Sequence, residues 1–279
     1  MEDAPAMLDR IVRFGDALVA PMWGGEEAER VTLMMTLVGA SCISFAMLMI
    51  WRHVLAPAIP AYATRTASDR VFLGNSFVSM WPAVTAPVLA IRSMAQLPWS
   101  DLDLLMVAPA DEHALRAVGI SCGYMLYDTI YCSVHREMRS PLIIGHHVLP
   151  VLFWPYCCLN HRALPIVLFF ILTEITNIGQ HLRMMLLKFG LEGRKVYTVI
   201  GVSWVIMFFA VRIAPSVRTT LLATRAPAAK PGARALSLIR FPLTLPRNHP
   251  AARSHTCSIT SSTATIRRTR VGNSGVCSS

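Results

Sequence analysis

Six stretches of about 20 residues, nearly free of charge, crowd into positions 31–213 of a 279-residue chain. About 20 apolar residues in a helix cross the hydrocarbon core of a bilayer. No water reaches that core, so a crossing segment closes its backbone hydrogen bonds on itself, as a helix does. The stretches are apolar most of the way round, whereas a core helix of a soluble protein keeps one polar face. They lie at 31–51, 71–91, 115–134, 141–159, 163–187 and 196–213. The second is interrupted by Asn75, Ser76, Ser79, Pro82 and Pro87, and the fifth turns polar in its second half. The pattern predicts an all-α, polytopic membrane protein with about six transmembrane helices.

The formal net charge of +10 does not belong to this body. Residues 214–279 hold nine Arg, one Lys and no acidic group, so 16 basic and 16 acidic groups cancel over residues 1–213. The tail is rich in Ala, Pro, Ser and Thr, has no apolar run of spanning length, and reads as disordered. Lacking interleaved structure and aromatics, it does not point to nucleic acid. The composition changes abruptly after Pro215, as an alternative or out-of-frame C-terminus would produce. The chain thus divides into an N-terminal segment (1–30), a membrane domain (31–213) and a basic tail (214–279).

Loops after the first, third and fifth spans hold eight Lys and Arg, against two in the opposite loops. The positive-inside rule places the first set in the cytosol and residues 1–30 in the lumen. Six spans then leave the basic tail on the lumenal side, against the same rule. Seven acidic groups in the first 30 residues fit neither the basic start of a signal peptide nor a transit peptide. The first span is therefore read as an uncleaved anchor on the secretory route. Seven Cys, an odd number without C-x-x-C spacing, read as buried thiols. There is no P-loop, G-x-G-x-x-G or H-E-x-x-H, and no His pair at i, i+4, so neither metal nor cofactor is expected.

Ionisable groups inside a membrane span are costly and point to function by default. On the third span Tyr124, Tyr127, Asp128, Tyr131 and His135 fall within a stripe of about 100°. That face avoids lipid, either as a hydrogen-bond network that fixes packing or as the wall of a functional cavity. The fourth span opens with His146 and His147, whose rings diverge by about 100°, so one can face a cavity while the other packs. The fifth carries Glu174, Asn177 and His181 on one side, with Thr176, Gln180 and Arg183 opposite. By distance from the helix ends, Asp128, the histidine pair and Arg183 share one layer roughly 6–10 Å below the cytosolic surface. Glu174 lies about 13 Å from Arg183 along the axis, too far for a direct pair. Arg212, at the lumenal end of the sixth span, is expected to snorkel.

These residues also carry a likeness. Gly123-Tyr124-Met125-Leu126-Tyr127-Asp128, His146-His147, Glu174-x-Thr176-Asn177 with Arg183, and Phe209-Ala210-Val211-Arg212-Ile213 resemble the TLC-domain pattern in order and spacing, over residues 30–213. The resemblance is to the small TLC-domain-containing proteins more than to the ceramide synthases. It implies a ring of membrane helices around a polar-lined lipid tunnel, in the endoplasmic reticulum, another endomembrane or the plasma membrane. In ceramide synthases the paired histidines serve acyl transfer from acyl-CoA to a sphingoid amine. By resemblance His146 and His147 are the catalytic candidates, with Asp128 in support. The chain departs from that pattern in three places: no D-x-x-D motif comes after the histidines, Ser79-Met80-Trp81 stands where a serine-histidine pair is common, and a usual final span is replaced by the basic tail.

These residues suit three functions. The first is lipid handling, with membrane lipids as partners and Tyr124, Tyr127, Tyr131, His135, Glu174, Asn177, Gln180, His181 and Arg183 as a binding or polar network. The second is a ceramide-synthase-like N-acyltransferase with acyl-CoA as substrate, one imidazole acting as base and Asp128 holding its tautomer. The third is a trafficking or structural membrane protein whose polar groups only lock helices together.

Overall fold

The computed structural model describes residues 4–215, which form helices joined by turns and short loops, with no strand among them. The elements are α1 (Ala4–Trp23), α2 (Glu27–Ile50), α3 (Pro60–Ala63), α4 (Ala67–Met94), α5 (Leu102–Met106), α6 (Glu112–Val134), α7 (Pro141–Leu159), α8 (Leu164–Thr173), α9 (Thr176–Lys188) and α10 (Lys195–Phe208). A π-helical turn, Trp51–Leu55, prolongs α2, and another, Phe209–Ile213, prolongs α10. The tail expected to be disordered lies outside the described residues apart from Ala214 and Pro215.

Among the described residues, five segments are long and apolar enough to cross a membrane: Glu27–Ala58, Ala67–Met94, Pro141–Leu159, Leu164–Lys188 and Lys195–Ile213. The sixth expected span, α6, has 23 residues and a length of about 34 Å, but a more polar composition. Its place in the fold accounts for that. It packs against α2, α4, α7 and α8, so its polar side chains meet protein rather than lipid. The interruptions noted in the second span are buried in the same way: Asn75, Ser76 and Ser79 all face the interior of an unbroken α4.

Local chemistry sets several helix ends. Thr66 caps α4, its Oγ1 accepting the Asp69 amide at 3.1 Å and donating to Asp69 Oδ2 at 2.9 Å. Asp111 caps α6 by accepting the Ala114 amide at 2.9 Å. Lys188 at the end of α9 pairs with Asp69 at 2.7 Å and ties that end to the start of α4.

Close helix contact relies on small residues, as in membranes where apolar burial alone does not drive association. α2 and α6 run side by side in the same direction. A Cβ at Gly119 would stand 2.7 Å from Thr36 Cβ, and one at Gly123 would stand 2.3 Å from Leu37 O. Ser41 Oγ, on α2, donates to Gly123 O at 2.8 Å. At the outer edge, α10 packs chiefly on α9, where Gly179 lies against Trp204.

Two features go beyond the sequence expectation. The N-terminal segment is largely a helix, α1, pinned by an Arg30–Asp16 ion pair of 2.7 Å and by Asn160 Nδ2 donating to Trp23 O. Gly24 and Gly25 make the turn into α2 with φ of 67° and 78°, a region that favours glycine. The fifth span is broken between α8 and α9 at Glu174-Ile175. There Asn177 N bonds to Glu174 O at 2.9 Å, a three-residue step that releases the Thr173 carbonyl from the helical ladder. That carbonyl accepts instead from Thr176 Oγ1 at 2.8 Å and Arg212 Nη2 at 3.2 Å.

Candidate functional site

α4, α6, α7, the α8–α9 break and the second π-turn enclose a cavity of about 390 Å³. α6 contributes Tyr124 and Asp128, α7 contributes His146 and His147, and α4 contributes Asn75. Glu174, Asn177, Gln180 and His181 enter from the broken span, and Arg212 from the π-turn.

Two polar clusters stand in it. In the first, His147 Nδ1 lies 3.2 Å from Asp128 Oδ2, with side-chain exposures of 12% and 5%. The nitrogen is at ion-pair distance but off the line of a hydrogen bond. Cys132 Sγ approaches the other carboxylate oxygen at 3.8 Å. A carboxylate at Nδ1 orients an imidazole and leaves Nε2 to accept a proton or to hydrogen-bond a ligand. The His146 ring, 5.5 Å from that of His147 between centroids, is exposed at the cavity wall. In the second cluster Asn177 Nδ2 donates to Glu174 Oε2 at 2.6 Å, and Arg212 Nη2 donates to Asn177 Oδ1 at 3.3 Å. The helix break and the guanidinium are thus one arrangement: Arg212 binds the carbonyl that the break sets free.

A smaller void of about 20 Å³ shares Tyr124, Met125, Glu174, Asn177 and His181 with the main cavity, and has room for roughly one water. Tyr124 Oη and Ser79 Oγ share a 2.6 Å hydrogen bond on its wall.

The stripe read from α6 divides. Tyr124 and Asp128 face the cavity, whereas Tyr127, Tyr131 and His135 line an apolar groove beside α2. The reason is the central position of α6: neighbours on several sides split a 100° sector that a helical wheel treats as one face. Arg183 does not line the cavity. Its guanidinium lies 5.3 Å from the Tyr197 ring and 6.0 Å from that of Trp204. The cavity's guanidinium is that of Arg212, whose expected snorkelling is replaced by contact with Thr173 and Asn177, about 14 and about 20 Å into the fifth span from Leu164. The π-turn puts one extra residue into its helical turn, so a 3.6-residue wheel misplaces the residues after Phe209. Asn75 was legible as a polar residue in an apolar span, but not as part of this cavity.

The elements that build the cavity, from within α4 to the second π-turn, fall inside a stretch with a counterpart among known proteins. The family model of the TLC domain matches residues 73–245, more than half of the chain. The chain belongs to the TLC-domain family. It is an integral membrane protein, and it is similar to TLC domain-containing protein 1 of Gallus gallus, 29% identical over 186 residues, which are 66% of this chain and 72% of the relative. No solved structure matches it. The TLC-domain match begins within α4 and runs past Pro215, so α1 and α2 precede it. Apart from Phe72, the cavity therefore lies in the part of the chain that the family model covers, while the groove beside α2 takes one wall from outside it.

Proposed function

We propose that this TLC-domain protein handles membrane lipids, taking a polar lipid headgroup into the cavity between α4, α6, α7 and the α8–α9 break. The observation that carries this is the assembly of Asp128, three imidazoles, Glu174 and Arg212 around about 390 Å³ inside a membrane body. That volume falls within the usual range for small-molecule sites. Ionisable groups buried in a bilayer are costly, and a cluster of them around a cavity marks a place where a ligand repays that cost. Arg212 and the imidazoles suit a phosphate or amide oxygen, while Phe72, Ile143 and Met184 give the same cavity an apolar wall for the start of an acyl chain. Asn75 Oδ1 has no hydrogen-bond partner within the protein and would be satisfied by a polar ligand. The biological role is lipid homeostasis, in the endoplasmic reticulum, another endomembrane or the plasma membrane. The test is mass spectrometry of lipids retained by the purified protein. Wild type should carry a restricted lipid class that Arg212→Ala and His147→Ala both lose. An unselective detergent-belt mixture, unchanged in the variants, would sink the reading.

A second reading is favoured by the 3.2 Å His147–Asp128 contact. His147 Nε2 would take a proton from an attacking amine, whose nitrogen bonds to the thioester carbonyl of acyl-CoA, with the CoA thiol leaving in protonated form. Labelled acyl-CoA supplied with sphingoid bases and lysolipids tests it. An acylated product lost in His146→Ala/His147→Ala supports transfer, and absence of product from a monodisperse sample removes it.

A further inference from the structure

On the far side of α6 from the cavity, α2 and α6 leave a groove of about 430 Å³. It runs from Ser41 to Arg52 along α2, about 16 Å, close to half the thickness of a bilayer's hydrocarbon core. Phe45, Leu126 and Ile130 make its walls apolar. At the Arg52 end it meets a second recess of about 440 Å³, lined by Arg52, His53, Tyr62 and Arg70. Arg52 belongs to both, so an apolar channel opens into a cationic mouth. Neither recess is lined by an Asp or Glu among the described residues. The nearby Asp69 is engaged by Lys188 at 2.7 Å.

Two further observations point to a ligand. Tyr127 lines the groove and is 7% exposed, yet its hydroxyl has no hydrogen-bond partner within the protein. A buried phenol in that state gains a partner if its hydroxyl turns to meet an acceptor on whatever fills the groove. Its ladder partner Tyr131 differs, donating to Val71 O at 3.1 Å. The π-helical turn Trp51–Leu55 widens α2 where Arg52 and His53 reach the mouth, and π-turns of this kind recur at functional sites. Trp51 holds the turn in place by stacking on Phe77 at 4.9 Å.

We infer that this composite recess is a binding site for an anionic glycerophospholipid, distinct from the central cavity. One acyl chain lies along the α2–α6 groove, the phosphate sits between Arg52 and Arg70, and Tyr127 donates to an oxygen of the lipid. Charge decides the class: a zwitterionic headgroup brings its own cation into a mouth that already holds two guanidiniums. The site requires α2, and so adds to the TLC-domain cavity a surface that reads the anionic lipid content of the leaflet on the Arg52 side.

The experiment uses the full-length protein in detergent micelles, with palmitoyl-oleoyl phosphatidylglycerol or the matching phosphatidylcholine added, and native mass spectrometry counting retained lipid. Phosphatidylglycerol should be retained about tenfold more tightly, the scale of one charge-assisted contact. Arg52→Gln removes the charge at an exposed position, and Ile130→Trp fills the groove while leaving the charge. Each should abolish the preference, whereas Arg183→Ala, which lines neither recess nor the central cavity, should leave it intact. Excess inorganic phosphate should not displace the lipid. Equal retention of the two lipids, a preference that survives Arg52→Gln and Ile130→Trp, or displacement by phosphate would each overturn the assignment. Loss of preference in Arg212→Ala alone would place the bound lipid in the central cavity and overturn it as well.

Discussion

Replacing Gly123 by Ala tests how α2 and α6 are held together. The new Cβ would stand 2.3 Å from Leu37 O and 2.8 Å from Ala40 Cβ. An ordinary carbon–oxygen approach is about 3.3 Å, so the two helices must part locally by about 1 Å. Overpacking of this kind costs about 1–3 kcal/mol. The parting also stretches the 2.8 Å bond from Ser41 Oγ to Gly123 O, and such bonds between membrane helices average about 0.6 kcal/mol. Against this, Ala is the better helix former, a gain that Gly39→Ala on α2 shares without the clash, because nothing lies within 4 Å of that site. The difference between the two variants isolates packing, at about 2–4 kcal/mol. At roughly 2–4 °C per kcal/mol for a domain of this size, Gly123→Ala should melt about 4–16 °C below Gly39→Ala. Tryptophan fluorescence of the detergent-solubilised protein during heating measures this. Coincident melting curves would refute the close α2–α6 contact.

Other substitutions separate neighbouring claims. Arg212→Ala strips a charged donor from Thr173 O and Asn177 Oδ1 and should cost about 1.5–3 kcal/mol, with loss of retained lipid. Arg183→Ala should lower stability by about 0.5–2 kcal/mol through lost stacking on Tyr197 and Trp204, with retained lipid unchanged, as melting and lipid mass spectrometry would report. Trp51→Ala removes a buried ring stacked on Phe77 and edge-on to Tyr62, and a loss of about 3–5 kcal/mol should leave little folded protein on size-exclusion chromatography. Arg30→Ala breaks the pair with Asp16 and should speed hydrogen exchange in α1 while amides of α6 keep wild-type rates.

The spans were legible because a lipid environment imposes a length and an apolar composition that a sequence displays directly. Even α6, too polar to stand out by hydropathy, is marked by the run between Leu115 and Val134. That Asp128 and His147 share a depth could be read from their distance to the same membrane face, but Arg183 shares that depth too and turns away to Tyr197 and Trp204. Rotation was harder to read. A helical wheel assumes 3.6 residues per turn and a single face toward the protein, and both assumptions fail at particular places. The π-turn carries Arg212 inward, the break at Glu174 frees a carbonyl to receive it, and the central position of α6 sends Tyr127, Tyr131 and His135 to a different recess from Asp128. The signal in Gly119-x-x-x-Gly123 was present in the sequence, as a small-residue pair one helical turn apart. α1 has 20 residues, the length of a span, but Asp9, Arg10, Arg13 and Asp16 break its apolar run, and its amphipathic pattern was hidden among acidic residues that speak only to targeting.

The most direct test of lipid handling places a photoreactive benzophenone amino acid at Phe72, an aromatic position on the cavity wall, and at Val202, on the outer face of α10. Illumination in native membranes followed by mass spectrometry identifies what each position touches. A narrow set of lipid adducts at Phe72, lost when Arg212→Ala is added, against a broad bulk-lipid mixture at Val202, is the predicted result. The same broad mixture at both positions, or peptide adducts alone at Phe72, would contradict a headgroup bound in the cavity.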